Sequence, residues 1–558
     1  GLRVIVHTDR KAPIVAVNIW YHVGAKNELP GRTGFAHLFE HLMFQGSENH
    51  AGEFFEPFEL VGATDQNGTT NQDRTNYFQN VPTTALDMAL WMESDRMGHL
   101  LGAIDQAALD EQRGVVQNEK RQGENQPYGQ VFERLLKASY PKGHPYSWTT
   151  IGSMSDLSAA SLDDVKRFFK TWYGPNNAVL VLAGDIDVAT AREKAMKYFG
   201  DIPAGPTMAQ PKVDPAPRTT STRDTFTDKV PQARVYRAWN TAEYGKADVE
   251  HLQLLAQVLG GSRSSRLDKR LVFEDKLADN VSAAAWPNLL GGLFFIQVDV
   301  KQGVDVATVE KALDEELAKI LADGPTAAEL EQARTVYKAG FVRGIERIGG
   351  FGGKADALAE CAVFAGDPGC FRDSLRTLET ATAKDLLATG RRWLSKGDHT
   401  IVVTPGERVP TVEAPSVTPP AATAVPATDL AGLSVLLAEV NKHDYSPYIP
   451  PFVWAAPTLD DATPLAPFAR QVEAPLYSAR LPITDSETGR PLPRVAYVLQ
   501  RKDGYLEYGT SDAEGYTHEV ISLTRETIKL YLQYLKQGYE AEGNTEKLKE
   551  LDELLKLF

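Results

Sequence analysis

Two stretches of this chain repeat one another at a fixed offset, and that repeat limits its possible folds more than any other feature. Ser161, Asp164 and Trp172 recur as Thr382, Asp385 and Trp393, 221 positions on, and each set is followed by an apolar run, Ala178 to Leu182 and Thr400 to Val403. A capping hydroxyl, an acid three residues later, a tryptophan and then a strand in the same register mark a duplicated domain. Each copy opens on a long strand (residues 14–24 and 233–240), passes through amphipathic helices and closes on a helix and a strand. The expected class is α+β: two duplicated sandwich domains, 1–209 and 218–409, with helices against mostly antiparallel sheets.

The first copy carries chemistry that the second lacks. Residues 37–41 read His37-Leu38-Phe39-Glu40-His41 on an apolar-periodic stretch from Thr33 to Phe44. On a helix, two histidines four apart stand on one face with Glu40 beside them, a pattern suited to a borderline-soft cation plus a base. This H-x-x-E-H order is the reverse of H-E-x-x-H. The offset of 221 places Val258 and Ser262 opposite His37 and His41, so only the first copy can bind zinc.

Further along stands Arg113-Gly114-Val115-Val116-Gln117-Asn118-Glu119. H-x-x-E-H followed by R-G-V-V-x-N-E resembles the pitrilysin/insulinase family of metallopeptidases, which includes the mitochondrial processing peptidases. The resemblance covers about residues 1 to 409. It implies one zinc ion per chain held by His37, His41 and Glu119, with Glu40 as general base in the hydrolysis of peptides or unfolded segments. Many relatives carry a second acid where this chain has Gln112, which could take only an uncharged orienting role. Glu111, one place off, reads as a solvated helix residue.

Gly62 to Tyr77 resembles the family's edge strand, where substrate backbone adds beside the metal; Asn67, Gly68 and Thr69 are then the substrate-binding residues, with Gly68 in place of alanine. On its own pattern the same segment reads equally well as a polar hairpin. Leu259 to Leu267, with Ser264-Ser265-Arg266-Leu267, resembles an element of the family's second domain and reads as a turn between helices. Gly349 to Ala355 lacks the spacing of a phosphate loop and is expected to be a flexible connection. His22 and His50 have no ligand spacing.

A net charge of -15 with no long Lys/Arg run argues against a nucleic-acid partner, and no apolar run reaches the roughly 20 residues of a membrane helix. Cys361 and Cys370 fit a short disulfide or two buried thiols. The chain opens in a strand-like run without Met, which we read as a processed N-terminus and hence a periplasmic or extracellular bacterial enzyme.

Residues 410–470 are rich in Pro and Ala and read as a linker, 471–535 as a small β-sandwich-like module with turn signals between short alternating runs, and 536–558 as an amphipathic helix. Relatives build a closed chamber from two such two-domain halves, so a homodimer or a second peptidase-like subunit is expected to complete this one. Two other functions compete: a peptide-binding or assembly subunit without turnover, and a secretion-associated interaction protein acting through the C-terminal module.

Overall fold

The computed structural model describes residues 1–410, apart from Asp214 and Ala216, and the backbone of five short strands between Tyr477 and Tyr531. The first repeat contributes β1 (Arg3–Thr8), β2 (Ile14–Tyr21), α1 (Phe35–Leu42), α2 (Glu56–Leu60), β3 (Thr64–Thr70), β4 (Thr75–Pro82), α3 (Leu86–Gly98), α4 (Gln106–Asn125), α5 (Val131–Ser139), α6 (Met154–Ala159), α7 (Leu162–Trp172), β5 (Ala178–Gly184) and α8 (Val188–Phe199). The second contributes β6 (Thr222–Asp228), β7 (Arg234–Thr241), α9 (Ala247–Gly260), β8 (Ala278–Trp286), β9 (Gly292–Val300), α10 (Val306–Asp323), α11 (Ala327–Ile345), α12 (Lys354–Phe364), α13 (Phe371–Thr380), α14 (Ala383–Trp393) and β10 (His399–Pro405).

The duplication reappears in the topology. The two five-stranded sheets run β1-β5-β2-β4-β3 and β6-β10-β7-β9-β8, the same order shifted by one repeat. β1 pairs with β5, and β6 with β10, in parallel, whereas the other pairings are antiparallel. Both predicted helix starts form reciprocal caps: Ser161 with Asp164, and Thr382 with Asp385.

β2 has no polar face because both of its faces are buried. Val15, Val17, Ile19 and Tyr21 enter the core under the helices of the first repeat. Ala16 and Trp20 point the other way, where with Val179, Val181 and Ala183 of β5 they meet Ala355, Ala359, Ala362 and Val363 of α12. The second repeat thus lays a helix across the outer face of the first sheet, and its alanines let helix and strands approach closely. The first repeat does the same in return: Val131, Leu135 and Leu136 of α5 pack with Ala238, Leu293, Ile401 and Val403 of the second sheet. A disulfide joins Cys361 of α12 to Cys370, the residue before α13, resolving the two readings of those thiols.

The Gly349–Gly353 segment, expected to be a flexible connection, is buried at Gly349, Gly350 and Gly353 and exposed at Phe351 and Gly352. A Cβ at Gly349 would overlap the Asn80 side chain, and Phe351 meets Phe78 edge-on at 4.9 Å. Gly349 and Gly353 have no room for a Cβ, whereas Gly350 and Gly352 are needed for their positive φ. Ser264 to Leu267 does link α9 to the next helical turn, with Arg266 held by Glu329 at 2.7 Å.

The remaining unit, Ala424–Phe558, contains Tyr477–Ala479 paired antiparallel with Val520–Ser522, and Ala496–Gln500 between Leu506–Thr510 and Lys529–Tyr531. The expected linker beyond Pro410 and the terminal amphipathic helix lie outside the described residues.

Candidate metal centre

The helix that carries the histidines begins at Gly34, whose φ of +90° is a left-handed conformation and whose added Cβ would lie 2.8 Å from the Ile151 carbonyl oxygen. Its first N–H groups are taken by a buried acid: Glu28 accepts from Gly34 at 3.0 Å and from Ala36 at 2.8 Å. These carboxyl oxygens satisfy donors that the helix itself cannot. Burial pushes Glu28 up to about 8, against those two backbone donors and Trp148, which draw it down.

His37 and His41 follow one turn apart, their ring centroids 4.8 Å from each other. α4 packs against α1 and brings in Glu119, one of whose oxygens lies 3.5 Å from Nε2 of both histidines. With metal–ligand bonds of about 2.0–2.2 Å, the edge of a tetrahedron is about 3.4 Å, close to both histidine–Glu119 distances, and all three ligand atoms lie within 4.8 Å of one another. Among the described residues this is the one group of three His, Cys, Asp or Glu so placed.

The electrostatics suit a cation. Burial, and then the neighbouring His41, lower His37 to about 4, leaving its ring neutral at pH 7. Burial alone would raise Glu119, but its hydrogen bond to His41 and the charges of His41 and His37 bring it below the usual carboxylate range. Neutral imidazole and ionised carboxylate are the forms that bind metal. His37 Nδ1 is buried and has no hydrogen-bond partner among the described residues.

Glu40 is raised by burial; the hydroxyl of Thr70, within hydrogen-bonding reach, and His41 act in the opposite direction. Thr70 belongs to β3, the edge strand of the first sheet. Asn67, Gly68 and Thr69 all lie on that strand, so the hairpin and edge-strand readings describe the same object. A Cβ at Gly68 would come 2.7 Å from the Phe44 ring, which explains the smallest residue there.

Asn71 N–H donates to the Arg74 carbonyl across the turn, so in the alternating antiparallel pattern Gly68 and Thr70 turn their backbone groups to the free edge. The Gly68 N–H is meanwhile held by the Asn67 side-chain oxygen at 2.8 Å.

Gln112 is buried in α4, and no hydrogen bond among the described residues links its side chain to His37, His41 or Glu119. Val258 is buried in α9, in keeping with a second copy without metal chemistry. Sequence reasoning missed Glu28 and Arg74. The first could be suspected from an acid just before the Pro30-Gly31 turn and the metal helix; the second has no such signal.

Comparison with known proteins places this geometry. Residues 3–152 match the family model described as insulinase (peptidase family M16), and 159–337 the one described as the peptidase M16 inactive domain. Zinc protease PqqE of Helicobacter pylori is 30% identical over 355 residues, 62% of this chain and 78% of that protein. The uncharacterized zinc protease YmxG of Bacillus subtilis is 26% identical, covering 62% and 83%. A protease structure from Helicobacter pylori aligns with a TM-score of 0.67 at 25% identity, over 73% of this chain and 97% of that one. The first half of the periplasmic protease PqqL from Escherichia coli shares the fold, with a TM-score of 0.59 at 20% identity over 73% and 90%. Two M16-type domains, a histidine pair and glutamate in the first and none in the second make this chain a member of the insulinase family, peptidase family M16.

Proposed function

We propose that this chain is a zinc-dependent endopeptidase acting on peptides or unfolded polypeptide segments. The observation that carries the proposal is the single Glu119 oxygen 3.5 Å from both histidine Nε2 atoms, with Glu40 on the same helix turn. His37, His41 and Glu119 would hold the ion. Zinc, when bound, supplies Lewis acidity for the scissile carbonyl and for water. The Glu40 carboxylate takes a proton from the attacking water and returns it to the leaving nitrogen, a role helped by burial that raises its basicity. The free edge of β3 aligns the substrate backbone through the Gly68 carbonyl and the Thr70 backbone groups.

The reading extends to setting and partners. A disulfide at Cys361–Cys370 supports an oxidising compartment, the periplasm or the cell exterior. A second copy of the chain, or another M16-type subunit, would supply the wall opposite β3.

Zinc stoichiometry measured together with cleavage of a quenched peptide, before and after chelation, tests the proposal. One zinc per chain and turnover that is lost on chelation and restored by zinc are expected. A protein that binds no zinc, or whose turnover ignores chelation, overturns it.

A further inference from the structure

Arg74 sits in the turn between β3 and β4, largely buried, and belongs to none of the groups discussed so far as catalytic or ligating. Its Nη1 donates to the Thr69 carbonyl at 2.8 Å and to the Thr69 hydroxyl at 2.5 Å, and its guanidinium lies 4.8 Å from the centre of the Trp20 ring. Its Nε is buried without an acceptor among the described residues. A guanidinium so placed needs opposing charge nearby. The carboxylates that act on it most strongly are Asp356 and Glu360, both on α12 of the second repeat, followed by Glu40 of the metal helix.

Asp356 is fixed by the first repeat. One of its oxygens accepts from Trp20 at 3.0 Å, Asn76 at 3.2 Å and Asn18 at 3.3 Å, while the other accepts the Gly352 N–H at 3.0 Å. Asn76 also accepts the Thr69 hydroxyl at 2.5 Å. Thr69 is therefore gripped from two sides, by Arg74 directly and by Asp356 through Asn76. Its neighbours are the two residues that present backbone to the free edge, and one of them, Thr70, also reaches Glu40.

We propose that Arg74 is a positioning residue for the peptidase reaction, setting the edge strand against Glu40 through Thr69, and that Asp356 of the metal-free repeat braces the same Thr69 through Asn76. The inference rests on the peptidase reading above. A shift of about 1 Å in a substrate-positioning element costs on the order of 10²-fold in rate. The second repeat thereby reaches the reaction through the first sheet, which gives it a role beyond that of a scaffold.

The test uses the full chain loaded with zinc and compares wild type, Arg74→Lys, Asp356→Asn and the pair Arg74→Met with Glu360→Gln, in which the second change relieves a carboxylate left alone. Zinc per chain, kcat per bound zinc and KM are measured. We expect full zinc in each, kcat lower by roughly 10²-fold in the double variant with KM within a few-fold, recovery to within about tenfold of wild type in Arg74→Lys, and an intermediate loss in Asp356→Asn. A merely structural role would lower the folded, zinc-loaded fraction and leave kcat per zinc intact, and that result overturns the inference, as does failure of Arg74→Lys to recover rate. If the double variant does not fold, unchanged kcat per zinc in Asp356→Asn is sufficient to overturn it. A wild type that is inert with zinc overturns the peptidase reading and this inference with it; an active wild type confines any failure to the role of Arg74.

Discussion

Glu28 accepts the backbone N–H of Ala36 at 2.8 Å, tying a buried carboxylate to the residue just before His37. The same side chain takes the Gly34 N–H, so the start of the metal helix is anchored from outside the helix. Glu28→Ala leaves two buried donors unsatisfied and is expected to destabilise the fold by about 2–4 kcal/mol and to weaken zinc binding by freeing the turn that carries His37. Denaturant unfolding with zinc titration checks this. An unchanged midpoint and an unchanged zinc affinity would count against the anchoring role.

Glu28 and His22 pull stability in opposite directions with pH. Glu28 has a folded value near 8, above its ordinary one, so its contribution is full below about 4.5 and lost as the pH rises through 8. His22 is driven down to about 3 by burial and by the charges of Lys26 and Arg3, so its contribution is full above about 6.5 and lost as the pH falls towards 3. His22→Gln should therefore flatten the acid side of the stability profile, and Glu28→Gln the alkaline side. Urea midpoints at pH 4.5, 6 and 8 read both, and parallel profiles for all three proteins would exclude the assignment.

The ligands and the base separate cleanly by substitution. His37→Ala and Glu119→Ala should each lose zinc, whereas Glu40→Gln should keep zinc and peptide binding while turnover falls roughly 10²- to 10⁴-fold. Metal analysis and single-turnover cleavage measure the two effects. Full zinc in both ligand variants, or normal turnover in Glu40→Gln, contradicts the assigned roles.

Opening the Cys361–Cys370 bridge, by reduction or by a double serine variant, removes a constraint on a loop with a sequence separation of 9. The chain-entropy estimate for such a loop is about 2–3 kcal/mol of stability. Because α12 also carries Asp356 and Glu360, activity is expected to fall before the protein unfolds. Thermal melts and peptide cleavage with and without reductant should show the two losses at different temperatures; coincident losses would uncouple α12 from the site.

What could be read in the sequence follows from how local each signal is. His37, Glu40 and His41 lie within one helical turn, so spacing alone places them together. The duplication was legible because the hydroxyl–acid caps at Ser161 and Thr382 are local too, and both form. Glu119 is far along the chain, and only the resemblance joined it to the histidines; the crossing of α1 and α4 leaves no periodic trace. The parallel pairing of Arg3 with Val179 leaves none either. Gly349 to Gly353 misled because a run of glycines is equally consistent with free motion and with the tight packing found at Gly349 and Gly353. Arg74 escaped notice because its significance comes from α12, hundreds of residues later.

The exchange of helices between repeats also bears on synthesis. All three candidate metal ligands and all five strands of the first sheet precede Asp185, yet the outer face of that sheet is covered by Ile348–Phe364 of the second repeat. At about 5–20 residues per second, translation from Gly184 to Phe364 takes roughly ten to forty seconds. A first repeat folded alone over such an interval would carry the candidate ligands while leaving Ala16, Trp20 and Val181 bare, a surface that a holding chaperone would grip. The order of the genetic message therefore postpones the cover for that face until most of the second copy has been made.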